Sequence, residues 1–274
     1  MNLHDNEFYR LKDYLEAETG IKLPPSKKIM LESRLRKRVH ALDLGSFSEY
    51  CDLIFSEQGL TTELLHMVDT VTTNKTDFFR EPDHFTFLSD LLKRNHFSET
   101  LKIWSSACST GEEPYTIAMV LEENKKNIPE SGYQIVATDI SYEVIEKGKK
   151  GIYREDKILP LPGEYKARYF LRSKDREKNT VRIKPEIRSK VIFKRYNLMN
   201  SLMLPIRDFD VIFCRNVLIY FNRDGQEKVL KHLYKHLRPG GYLFLGHSET
   251  IFGMDLLFYQ EAPTIYKKPE ERRQ

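Results

Sequence analysis

Cysteine is scarce in this chain. Three thiols, Cys51, Cys108 and Cys214, are spread over 274 residues, which excludes a disulfide framework and a zinc cluster. Long apolar runs are missing too, since the longest, such as Val211–Cys214 and Tyr242–Leu245, are far too short to cross a bilayer. Met1–Arg10 carries His4, Asp5 and Glu7 where a secretory leader needs an apolar stretch. Nor is there an excess of one charge. A net +4 does not by itself announce a nucleic-acid binder. The expectation is a globular protein of the cytoplasm that does not insert into a membrane.

What is present suffices for a core. Hydrophobic residues make up 40% and charged residues 31% of the sequence, ordinary values for a soluble fold of one or two domains. Up to about residue 70 the pattern is helical. Phe8, Leu11, Leu15 and Ile21 recur at near-helical spacing, with Gly20 as a C-cap. After Pro24-Pro25, Ser26 can cap a second helix to about Ala41, a third starts at Gly45-Ser46 and a fourth follows Gly59. Val71–Arg80, VTTNKTDFFR, has little period and reads as a structured linker.

From Pro82 the pattern alternates. Helices are expected at 83–95, Glu112–Asn124, Tyr142–Lys149 and Arg223–Leu237. Strands are expected at Leu101–Ser105, Gln134–Thr138, Val191–Arg195, Val211–Cys214 and Tyr242–Leu245. A closing hairpin is expected from Leu256–Tyr259 and Thr264–Lys267. This is the signature of an α/β fold with a mostly parallel sheet. Residues 152–190 fit it poorly: Tyr153–Phe170 reads as irregular or weakly helical. Thr180–Lys184 and Val191–Lys194, parted by Pro185, could form a small side sheet. The charged tail Lys267–Gln274 is expected to fray.

Three strand ends carry polar interruptions. The first strand runs into SSACSTGEEPY, a small-residue turn opening a helix. Gly111 is its one glycine, so the dinucleotide fingerprint is absent, and Glu112 and Glu113 suit a cationic ligand better than a phosphate. The same acids also fit plain helix-dipole compensation. Asp139 ends the next strand, 28 positions beyond Gly111, a spacing compatible with a ribose ligand as well as with a turn former. Arg215-Asn216 ends the strand Val211–Cys214, where an ion pair and a helix cap are the plain alternatives. Convergence of all three on one crevice favours a ligand site.

VDTVTTNKTDFFRE, WSSACSTGEEPY, ATDIS, FCRNVLIYF and LRPGGYLFLGHSE, in that order, resemble the chemotaxis receptor methyltransferases of the CheR family. The resemblance reaches from the N-terminal helices to about Tyr266. It implies a Rossmann-like S-adenosylmethionine methyltransferase domain at 83–274 with a small β-subdomain at about 152–195. An all-α receptor-recognition domain at 1–70 would precede it, and the linker 71–82 would enter the active site. It further implies that Asn74, Thr76 and Arg80 contact the cofactor, Arg80 at the methionyl carboxylate. Glu113 would take the α-amino group, Asp139 the ribose, and Asn197-Leu198 the adenine border. Arg215 and Asn216 would close the methionyl end. Tyr220 would lie near the transferred methyl, forming the catalytic centre with Arg80.

The implied reaction esterifies receptor glutamates and leaves S-adenosylhomocysteine. It needs no metal and no general base, so His247 is read as structural and Cys108 and Cys214 as buried filler. On the helix 26–41, Leu31, Leu35, Val39 and Leu42 form an apolar stripe flanked by Lys27, Arg34, Lys37 and Arg38. That flank is either a solvated face or, as the family implies, the surface that meets the acidic methylation helices of receptors, with the enzyme a monomer and nucleic acid no partner. Some family members also tether to a receptor's C-terminal pentapeptide through a glycine-containing loop; Arg172–Lys184 has no glycine, so a pentapeptide-independent enzyme is expected. A methyltransferase for RNA or small molecules, and a non-catalytic cofactor sensor, are the rivals.

Overall fold

The computed structural model describes residues 1–95, 97, 99–200 and 204–270; the last four residues of the charged tail lie outside them. Helix α1 (Asp5–Thr19) buries Phe8, Leu11 and Leu15 and ends at Gly20 in the left-handed region. Ile21 falls beyond that cap and pairs instead with Phe221, far along the chain. Ser26 caps nothing: it lies in a 3₁₀ turn, Pro25–Lys27, ahead of α2 (Lys28–Ala41). α3 (Phe47–Ile54) is capped by Ser46. α4 (Glu57–Val71) begins before Gly59, because Ser56 accepts from the Gly59 N–H as N-cap. A Cβ on Gly59 would overlap the Leu53 carbonyl. Leu31, Leu35, Val39, Tyr50 and Met67 join the α1 residues in one core.

Beyond the linker come α5 (Pro82–Arg94), β1 (Leu101–Ser105), α6 (Glu112–Glu123), β2 (Tyr133–Asp139) and α7 (Tyr142–Lys150). A side sheet follows, from β3 (Ile152–Arg154), β4 (Phe170–Arg172) after helix α8 (Gly163–Tyr169), and β5 (Thr180–Ile183). Its order is β3-β5-β4, all antiparallel. Here the sequence expectation needs correction. Thr180–Ile183 does pair in a side sheet, but with segments read as irregular. After the one-turn helix α9 (Pro185–Arg188), β6 (Val191–Arg195) leaves to pair with β2.

The main sheet is completed by β7 (Phe209–Cys214), helix α10 (Arg223–His236), β8 (Leu237–Leu245), β9 (Tyr259–Ala262) and β10 (Ile265–Lys267). Its seven strands run β6-β2-β1-β7-β8-β10-β9, the first five mutually parallel and the last two antiparallel. The hairpin turns at Thr264, three residues later than expected at its first strand. Both faces are covered: Ile103, Val211, Phe213 and Phe244 point to one core, Trp104, Ile212, Leu243 and Leu245 to the other. All three cysteines are free and buried. No described helix is long and apolar enough to cross a membrane.

Candidate active site

In the main sheet the chain moves outward from β1 through β2 to β6, then returns to lay β7 on the other side of β1. Such a reversal opens a crevice at the carboxyl ends of the two central strands. A cleft lies there with about 1250 Å³ of empty space, counting its open mouth. Every residue implied for the cofactor, Asn74, Thr76, Arg80, Glu113, Asp139, Asn197, Leu198, Arg215 and Asn216, lines this cleft, as does Tyr220. The end of α1, the connection after it and the start of α2 close one wall with Thr19, Ile21–Leu23, Lys27 and Met30.

The wall is fastened across the two domains. Lys22 N–H donates to the Tyr220 carbonyl at 2.7 Å, beside the Ile21–Phe221 bridge. Asn197 Nδ2 donates to the Glu18 carbonyl at 2.7 Å. Gly20 makes the approach possible, since a Cβ there would stand 2.6 Å from Met199 Cγ.

On the sheet side, Glu113 Oε1 accepts from Ser105 Oγ at 2.7 Å and its Oε2 from Arg215 Nη1 at 3.1 Å. Burial pushes the Glu113 carboxyl up, against the pull of Arg215. Asp139 accepts from the backbone N–H groups of Ser109 and Ser141 at 2.8 and 3.1 Å. Burial raises it as well, and these N–H bonds oppose the rise. Ser109 Oγ donates to the Asn74 carbonyl at 3.0 Å, tying the linker to the β1 turn. Arg80 Nη1 donates to the Lys75 carbonyl at 3.0 Å.

Two residues that organise the site carried no role in the sequence reading. Glu81 holds Arg215 through Oε2 at 3.1 and 3.3 Å and Asn216 Nδ2 through Oε1 at 3.1 Å. Burial would raise its pKa, but Asn216 and Arg215 outweigh that and hold it below the usual value. Arg215, its side chain 2% exposed, also donates to the Arg80 carbonyl. Glu249 accepts from the N–H groups of Gly246, Asn216 and Leu218 at 2.7, 2.8 and 2.7 Å, shaping the turn that carries Asn216. Both acids stand inside segments already singled out, FFRE and GHSE; their type and place were the available signal. Phe79, Glu81, Ser109 and Asn216 all have positive φ, 47–56°, so non-glycine strain concentrates here.

His84 Nδ1 lies 3.6 Å and His247 Nε2 4.0 Å from Glu81 Oε2. The Arg215 guanidinium is already paired with that oxygen, so the carboxylate the two imidazoles face is engaged in an ion pair. Burial and the nearby Arg215 hold His84 down to about 4. Burial carries the thiols of Cys108 and Cys214 well above their usual value, which keeps both protonated at neutral pH.

The four basic residues expected to meet receptors do not form one cluster. Lys27 stands at the cleft wall, while Arg34, Lys37 and Arg38 surround a separate depression with Ser33, Ala41 and Thr70. Arg38 is locked by two bonds of 2.7 Å to Glu63, which also accepts from Tyr50 Oη. Arg34 Nη1 is occupied by backbone carbonyls at the end of α4. Lys37 remains exposed.

Comparison with known families matches residues 74–266 to the CheR methyltransferase SAM binding domain and residues 6–72 to the CheR methyltransferase all-alpha domain. The chain belongs to the CheR methyltransferase family. The chemotaxis protein methyltransferase of Escherichia coli K12 is 37% identical over 264 residues, 96% of this chain and 91% of that protein. Its counterpart from Borreliella burgdorferi is 37% identical over 279 residues, covering 98% and 96%. Among solved structures, PKMT2 from Rickettsia typhi in complex with AdoHcy aligns with 64% of this chain and 26% of that one, at 20% identity and a TM-score of 0.37, too loose to build on.

This CheR-family chain is therefore an S-adenosylmethionine-dependent methyltransferase, and its cleft fits that cofactor. A carboxylate, an ammonium group, a vicinal diol and an apolar ring need four different partners. The cleft offers a guanidinium at Arg80, a buried acid at Glu113, a second acid at Asp139, and apolar surface at Ile140 and Leu198.

Proposed function

We propose that this methyltransferase esterifies glutamate side chains on the methylation helices of chemotaxis receptors, working as a monomer in the cytoplasm during sensory adaptation. Arg80 holds the methionyl carboxylate of the cofactor, Glu113 its ammonium group and Asp139 its ribose hydroxyls. Asn74 and Thr76 contact the cofactor, Asn197 and Leu198 border the adenine, Arg215 and Asn216 close the methionyl end, and Tyr220 lies near the methyl. The observation that carries the reading is the meeting of Arg80, Glu113 and Asp139, from linker, helix and strand end, in one cleft of a chain whose relatives are chemotaxis methyltransferases.

S-adenosylmethionine supplies an electrophilic methyl on a sulfonium. A glutamate carboxylate, with a pKa of about 4.3, is ionised at neutral pH, so no residue of the chain has to remove a proton. The protein's part is alignment and exclusion of water: Arg80 and Glu113 fix one end, Asp139 the other, and Ile21, Tyr220 and Phe221 line the cleft. Of the four cations implied for receptor contact, Lys27 and Lys37 stay exposed. Arg172–Lys184 has no glycine, which is what supports a pentapeptide-independent enzyme; between β4 and β5 the left-handed position is taken by Asn179.

The test incubates receptor-bearing membranes with radiolabelled S-adenosylmethionine, then treats them briefly with alkali. Label on the receptor that alkali releases, and that Arg80→Ala abolishes, is the expected result. Alkali-stable label, or label on RNA alone, would sink the glutamate reading.

A further inference from the structure

On the basic face of α2, Arg34 is the cation whose described bonds run to the end of a neighbouring helix. Arg34 is half-buried, and its Nη1 donates to the carbonyls of Val71, Thr72 and Thr70 at 2.8, 3.1 and 3.4 Å. These are carbonyls at the C-terminal end of α4, which an α-helix leaves without intrahelical partners. A cation placed there satisfies them and complements the negative end of the helix dipole. α4 ends at Val71, and Thr72 is already extended, at φ −67° and ψ 147°. The guanidinium therefore sits at the point where the chain leaves the helix and turns into the cleft.

From that point an unbroken series of bonds reaches the far side of the site. Thr72 Oγ1 accepts from Asn74 Nδ2 at 3.3 Å. The Asn74 carbonyl accepts from Ser109 Oγ at 3.0 Å. The Ser109 N–H donates to Asp139 Oδ2 at 2.8 Å. Asn74, Ser109 and Asp139 all line the cleft. Neighbouring charges behave differently: Arg38 is spent on Glu63, and Lys37 is exposed.

We infer that Arg34 is a positioning residue for the cofactor site: by clamping the end of α4 it sets the path of the linker, and through Asn74 and Ser109 the placement of Asp139. This goes beyond the reading of α2 as a receptor-facing surface, and assigns Arg34 a different task from Lys37.

Calorimetric titration with S-adenosylhomocysteine, which requires no receptor, tests it. Arg34→Ala should weaken S-adenosylhomocysteine binding about tenfold, the effect of losing a charge-assisted contact. Arg34→Lys, which keeps a donor near the carbonyls, should recover part of that loss. Lys37→Ala should leave S-adenosylhomocysteine affinity at the parental value. A parental dissociation constant in both Arg34 variants, with only the KM for receptor raised, would overturn the inference. So would equal weakening in Lys37→Ala, which would mark a general effect of charge. Should Arg34→Ala not fold, Arg34→Lys decides: several-fold weaker binding supports the role, and a parental constant refutes it.

Discussion

At the scale of single residues the site is governed by acids whose environments differ. Glu81, held below the usual carboxylate range, stays ionised and keeps the buried Arg215 paired. Removing it leaves that guanidinium with Glu113 as its one carboxylate partner among the described residues, beside the Arg80 carbonyl. Glu81→Ala should therefore lower folding stability by about 3 kcal/mol, as for other broken buried pairs, measured by urea denaturation. A loss within error would mean that Arg215 repacks onto Glu113 without cost. Glu113 is pushed the other way, above its ordinary 4.5, mainly by burial. A raised acid takes up its proton earlier on acidification. S-adenosylhomocysteine affinity should therefore start to fall at a pH above 4.5. In Glu113→Gln the fall should be shallower, with the contribution of Asp139 remaining. Titration calorimetry across pH 4.5–7.5 checks both curves.

At the scale of elements, two connections decide whether the cleft is closed. One is the linker, whose end is fixed on α4 by Arg34. The other is the turn after α1, where Gly20 at φ 72° lets Ile21 and Lys22 reach the Phe221 region. An alanine there meets both a left-handed backbone and Met199. Gly20→Ala should cost about 1 kcal/mol for the backbone alone, lower the melting temperature, and loosen S-adenosylhomocysteine binding. Unchanged affinity in a destabilised variant would show that the α1 turn walls the cleft without contributing to the ligand. The helices of this half were largely legible in the sequence, because Phe8, Leu11, Leu15 and Leu31, Leu35, Val39 repeat at helical spacing. Their starts were less so. Ser26 and Ser56 are the same residue type, yet Ser56 caps and Ser26 lies within a 3₁₀ turn fixed by Pro24 and Pro25.

For the whole molecule, buried histidines make stability depend on pH. His84 and His232 are each held down to about 4, chiefly by burial, against an ordinary 6.5. The unfolded chain binds those protons first, so stability should fall as pH drops from about 6.5 towards 4. Glu81 adds to the fall below 4.5, where its depressed carboxyl protonates. Raised acids such as Asp139 and Glu249 work against it. Comparing thermal melts of the parent and His84→Gln isolates one share, and the variant should show the shallower decline. Equal slopes would mean that His84 carries a proton in the folded state.

Local patterning determined much of this protein. Helical repeats, short apolar strands and small-residue turns are short-range features, and they announce an all-helical segment followed by an α/β domain. The motif order carried the family, and with it the residues that line the cleft. Only the tertiary structure decided the rest. Thr180–Ile183 and Val191–Arg195 are adjacent apolar segments, yet they join different sheets, because strand partners are chosen by packing across long separations. Lys27, Arg34, Lys37 and Arg38 share a flank on a helical wheel. They nevertheless meet a cleft, a helix end, solvent and Glu63 respectively, since a side chain's partners come from the neighbouring element. Glu81 and Glu249 gain their importance the same way, from a guanidinium and three backbone N–H groups that only folding brings to them.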